Sequence, residues 1–183
     1  MQTTLKNIKK SAFELKSIYA LTVCGVLLAL RVALGFLSFG GDTYRITFSQ
    51  LPVFISSYLF GPIPAAIVGA LGDIITLIIK PTGPLNIAIT LAQALTGFIA
   101  GLFLYKRPVN FWRTVLSCIT VAVICNLIIT TYGVVSMYHA PLGATLITRL
   151  VTNAITVPIN IILLFSIQQL IQRIHLPHIN IVR

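Results

Sequence analysis

Residues 45–106 read RITFSQLPVFISSYLFGPIPAAIVGALGDIITLIIKPTGPLNIAITLAQALTGFIAGLFLYK. Three apolar runs are separated only by Gly-Pro-Ile-Pro at 61–64 and Lys-Pro-Thr-Gly-Pro at 80–84, and almost no charge interrupts them. A helix on a soluble core would keep a polar face, and these runs have none. They fit membrane spans, where the backbone must satisfy itself as helix and the side chains must be apolar.

Composition extends this reading to the whole chain. Of 183 residues, 57% are hydrophobic and 9% charged, with mean hydropathy +0.97. A soluble domain carries roughly 25% charged residues. The expected fold class is therefore an all-α membrane protein, a single domain over 1–183. Net charge +10 would suggest nucleic acid in a soluble protein, but the basic residues are segregated into short flanks, which favours topology and excludes a nucleic-acid partner.

Outward from the central stretch, span one runs from about Ile18 to Leu37 and span two from Ile46 to Phe60. Span three covers Ala65–Ile79, span four Ile87–Leu104 and span five Thr114–Thr131. A loop at 132–143 and span six, Ala144–Ile171, follow. Residues 1–17 form a basic leader and 172–183 a tail. Spans two and three are short for a bilayer, so protein rather than lipid is expected to cover part of them.

Six spans put both termini on one side. Nine basic residues (Lys6, Lys9, Lys10, Lys16, Lys106, Arg107, Arg113, Arg173, Arg183) then share that side against two (Arg45, Lys80) on the other. The positive-inside rule makes the richer side cytoplasmic. The apolar run after the basic leader has no convincing cleavage site and reads as the first span, not a signal peptide.

Arg31 and Arg149 lie within spans, where ionisable groups face a polar cavity or a partner. Gly25, Ala29 and Ala33 recur every fourth residue and form one ridge. At 100° per residue Arg31 lies about 200° from Ala29, on the opposite side. Taken alone, such a small-residue ridge reads as internal helix packing. Arg149, Asn153, Thr156 and Asn160 make a polar stripe on span six, with Asn160 read as packing. Asp73, the lone acid within a span, reads as a structural hydrogen bond or ion pair.

Gln50, Thr82, Asn86, Gln93, Tyr132, Tyr138 and His139 surround the outer loops as further pocket candidates, and Trp112 fits an aromatic belt. Cys24, Cys118 and Cys125 sit in apolar runs as packing residues, with no metal-ligand spacing and no disulfide framework. There is no catalytic constellation and no GxxxxGK[ST] loop. The chain is thus expected to be no enzyme and to need neither cofactor nor metal.

The segments 29–39 (ALRVALGFLSF), 44–84, 89–106 and 148–164 together resemble the S components of energy-coupling factor (ECF) vitamin transporters, in particular the folate family. The likeness rests on Arg45-Ile46-Thr47-Phe48, Leu51-Pro52, Leu59-Phe60-Gly61-Pro62, Gly69-Ala70-Leu71-Gly72-Asp73, Pro81-Thr82-Gly83-Pro84, Thr96–Tyr105 and Arg149-Leu150-Val151-Thr152-Asn153. It implies a six-helix binding subunit in a prokaryotic plasma membrane, working with a transmembrane coupling subunit and two ATPase subunits that bind the ATP.

The resemblance also implies that Gly25, Ala29 and Ala33 dock on the coupling subunit. Folate has two carboxylates and a pterin. Its expected contacts are Arg31 and Arg149 nearest the pocket, Arg45 at the rim, and Asn86, Gln93, Tyr132 and Asn153 for polar or stacking contacts. One departure leaves other ligands open: the family's turn usually continues Phe-Pro-Gly-Phe-Thr, whereas this chain has Leu85-Asn86-Ile87-Ala88-Ile89-Thr90. Hydroxymethylpyrimidine or pyridoxine is the alternative within the family. An ion-coupled secondary transporter is the alternative outside it, though no internal duplication is visible.

Overall fold

The Gly-Pro-x-Pro break works because proline suits the first turn of a helix, where its missing N–H would be unpaired anyway. A computed structural model describes residues 11, 17–36, 48–80, 86–138 and 142–174. Among these, every regular element is helical: α1 (Ile18–Phe36), α2 (Leu51–Phe60), α3 (Pro62–Ile79), α4 (Ile87–Leu104), α5 (111–138) and α6 (Leu142–Ile174). Five are long and apolar enough to cross a membrane, and α2 is the shorter sixth.

The short helix is the heart of the bundle. All of α2 except Ile55 is buried, and it packs on α1, α3, α4 and α6. A ten-residue helix spans only about 15 Å at 1.5 Å per residue, too little for hydrocarbon. Its polar side chains are spent inside the protein, with Ser57 Oγ donating to Phe54 O at 2.7 Å and Ser56 buried beside Cys24. The expected covering of this span by protein is therefore observed.

Gly61 turns the chain from α2 into α3 with φ +91°, a conformation that only glycine adopts cheaply. Ser11 is seated on this turn, donating to Phe60 O at 2.8 Å and accepting from Ile63 N at 3.3 Å. A side chain at 61 would also meet Tyr105. Ser11, the α2–α3 turn and the α4–α5 connection thus share one end of the molecule, the basic end.

The tightest helix contact joins α3 to α4. A Cβ on Gly69 would collide with the Gln93 carbonyl, one on Gly97 with the Ala65 backbone and one on Gly101 with Pro62. Backbones approach this closely only where side chains are missing. The sequence holds the signal as Gly97-x-x-x-Gly101, a spacing overshadowed by the ridge on α1.

Two span ends differ from expectation. The loop expected at 132–143 is helical to Tyr138, and α6 begins at Leu142. Gly133 does not end α5 because its carbonyl accepts from Asn86 Nδ2 at 2.9 Å, which helps offset the roughly 1 kcal/mol that a mid-helix glycine costs. Within α5 the segment Ala122–Thr130 is a π-helix, and the Thr130 hydroxyl donates to the Cys125 carbonyl five residues back at 2.7 Å. All three cysteines are unpaired and buried, as packing residues should be.

Candidate functional site

Arg31 comes from the inward side of α1. The buried residues of that helix are Ala20, Cys24, Leu27 and Arg31, a stripe at i, i+4, i+7 and i+11 that faces the bundle. The Arg31 side chain is 4% exposed and lies against Gly72, where any Cβ would occupy its place. Its Nη2 donates to Gln93 Oε1 at 3.1 Å, while its Nη1 is buried without a hydrogen-bond partner.

A buried guanidinium held by one neutral amide is under-satisfied, since burial of a charge is costly without full pairing. Asp73 acts on it electrostatically from α3. That carboxylate is itself tied down, accepting from Thr90 Oγ1 at 2.8 Å, which matches its reading as a structural hydrogen-bond partner. Arg31, Gln93, Gly72 and Asp73 therefore form one polar group between α1, α3 and α4, with an open donor on Arg31.

A second polar group lies between α2, α5 and α6. Gln50 Nε2 donates to Asn126 Oδ1 at 3.2 Å, and Asn126 Nδ2 donates to Asn153 Oδ1 at 3.4 Å. These residues line a cleft with Phe54, Cys118, Thr156 and Asn160. The space between their side chains, open mouth included, is about 240 Å³. Asn126 was not singled out from the sequence, although a lone asparagine in the run VICNLIIT is the kind of intramembrane polar residue that marks a function or a helix contact. It sits in the π-helical segment, a distortion that recurs at functional sites.

The remaining expected residues divide. Gln93 is brought to Arg31, and Asn153 to Gln50 and Asn126, but no hydrogen bond joins the two groups among the described residues. Arg149 is half-buried on the inward stripe of α6, one turn from Asn153. Asn86 caps α4 by accepting from Ala88 N at 2.9 Å while it braces Gly133. Tyr132 is exposed on the flank of α5. Arg45, Thr82 and His139 lie outside the described residues.

The ridge of α1 faces away from the bundle. Gly25, Ala29 and Ala33 are all exposed, and a Cβ on Gly25 would meet nothing within 4 Å. Internal packing, the reading of the residues alone, is thereby excluded within the described part of this chain. Asn160 is buried as expected, but its Oδ1 has no partner.

An all-helical, multi-pass membrane protein with polar groups sunk into its core is the class that fold and site define. The family model for the substrate-specific component of ECF transporters matches residues 19–168, and the chain belongs to that family. It is 31% identical to a folate transporter FolT of Clostridium novyi (strain NT), over 77% of this chain and 82% of that one. A folate transporter FolT of Leuconostoc mesenteroides subsp. mesenteroides is 25% identical, over 74% and 77%. A crystal structure of FolT bound with folic acid superposes with TM-score 0.76 at 28% identity, covering 82% of this chain and 93% of the other. The S component of a bacterial ECF transporter shares the fold at TM-score 0.55 and 14% identity, over 84% and 97%.

Proposed function

We propose that this chain captures folate outside a prokaryotic plasma membrane and releases it inward when joined to a transmembrane coupling subunit and two ATPase subunits. It performs no chemistry on the vitamin, and its termini lie in the cytoplasm. The observation that carries the reading is the Arg31 guanidinium, buried with its Nη1 open, in a chain similar to transporters and a solved structure whose names specify folate. A carboxylate or another strong acceptor on the ligand would complete its hydrogen bonds. In this reading Arg149 also lies near the ligand, Arg45 serves the rim, and Asn86, Gln93, Tyr132 and Asn153 supply polar or stacking contacts.

The enclosed room of the cleft beside Asn153 is water-sized, far below the roughly 300–1,000 Å³ of pockets that bury drug-sized ligands. Folate therefore enters only as the elements around it part. Docking on the coupling subunit falls to Gly25, Ala29 and Ala33, whose exposure supports a contact outside this chain.

Calorimetry on the purified chain tests the ligand, with folate and a neutral pyridoxine-like ring as titrants. Folate should bind tightly and without turnover, and uptake should require ATP and the partner subunits. Tight binding of the ring in place of folate would overturn the assignment.

A further inference from the structure

At the basic end, remote from Arg31, a hollow is lined by Tyr58 of α2, Arg107 and Asn110 of the α4–α5 connection, Arg113 and Thr114 of α5, and Gln168 of α6. The space between its walls, open mouth included, is about 180 Å³, and its enclosed part is water-sized, room for one oxygen of a group seated at the mouth. The unpartnered groups on its wall are hydrogen-bond donors. Gln168 is 2% exposed and spends its Oε1 on the Thr114 hydroxyl at 2.9 Å, leaving Nε2 with no partner. Arg113 Nη1 is likewise buried without one. The Tyr58 hydroxyl, also on the wall, faces the Gln172 side chain. Arg107 stands exposed in the wall.

Unpaired donors beside two guanidinium groups call for an anion with several acceptor oxygens. The one acid among the described residues, Asp73, is bound to Thr90 in the other half of the bundle and cannot serve. The depth of the hollow indicates the source of the anion. Phe111 and Trp112, at the start of α5, are 47% and 71% exposed, placed as interfacial aromatics are at headgroup level. Basic pockets between membrane helices at that level suit anionic headgroups. We infer that this hollow is a phosphate site, filled by the headgroup of an anionic phospholipid. The site is independent of the vitamin and of its identity.

Trp112 is the single tryptophan of the chain and adjoins Arg113, so it reports on this site. The full-length protein is reconstituted in phosphatidylcholine vesicles with increasing brominated phosphatidylglycerol, and quenching of Trp112 is compared with that by brominated phosphatidylcholine. A preference of about fivefold or more for the anionic lipid is expected, from roughly 1 kcal/mol per basic residue near the surface.

Arg113→Gln should remove most of this preference. Gln168→Glu keeps the shape of the side chain and an acceptor for Thr114 but sets a carboxylate against the phosphate, and should abolish it. Melting and gel filtration of each variant separate loss of the site from loss of fold, and the two substitutions act on different helices. Unaltered preference in both folded variants would overturn the site. Displacement of the brominated lipid by millimolar inorganic phosphate would keep the phosphate chemistry and overturn the lipid as its source.

Discussion

The Arg31 guanidinium makes one hydrogen bond inside the protein, to the neutral Gln93 amide, with Asp73 acting only electrostatically, so its unpartnered buried Nη1 gains more from an acceptor on a ligand than a solvated arginine would. A charge-assisted hydrogen bond contributes about 1.5–3 kcal/mol. Arg31→Ala should weaken folate binding by about one to two decades in calorimetry, with Asn153→Ala weakening it through the pterin end or the Asn126 bond. Full folate affinity in a folded Arg31→Ala protein would remove this residue from the site. Gly97 tests packing in the same way. Gly97→Leu must push α3 from α4 at the Ala65 backbone, and overpacking of this kind costs about 1–3 kcal/mol or more. Thermal inactivation in detergent should occur well below that of the parent, whereas Gly25→Ala, with open space around it, should leave it unchanged.

Between elements, the two sides of α1 do different things. Its inward stripe ends on Arg31, and its outward ridge of Gly25, Ala29 and Ala33 presents backbone to whatever lies beside it. Close helix contact on such a ridge cannot admit an indole without separating the backbones. Ala29→Trp or Ala33→Trp should therefore leave vitamin binding by the isolated chain intact and abolish uptake by the assembled transporter. Normal uptake with either tryptophan would show that the ridge meets only lipid. The π-helical segment of α5 has no counterpart in the pattern AVICNLIIT, and nothing in those residues alone accounts for it. Its effect is visible in space, where Asn126 links Gln50 of the segment before α2 to Asn153 of α6.

For the whole molecule, alternation of six helices carries Ser11 and the 105–110 connection to one end. We propose from the basic count that this end is cytoplasmic. Single cysteines replacing Asn7, Asp42, Asn110 and His139 should label from inside, outside, inside and outside in turn, with low background because the native thiols are buried. Labelling of 42 and 110 from the same side would refute the topology.

Helix class, span number and the existence of an intramembrane cation were legible in residues 18–171, because continuous apolar runs of span length have one stable solution in hydrocarbon. So was the opposition of Arg31 to the α1 ridge, since helical periodicity alone sets it. Which side of α1 faced the bundle was not legible, because small residues serve contacts within a chain and between chains equally well. The covering of α2, the Gly69, Gly97 and Gly101 contact, and the separation of Arg31–Gln93 from Gln50–Asn126–Asn153 were decided only by tertiary structure. These depend on which helices are neighbours, and the choice of neighbour is made by packing between segments far apart in the chain, where an apolar sequence leaves many pairings open.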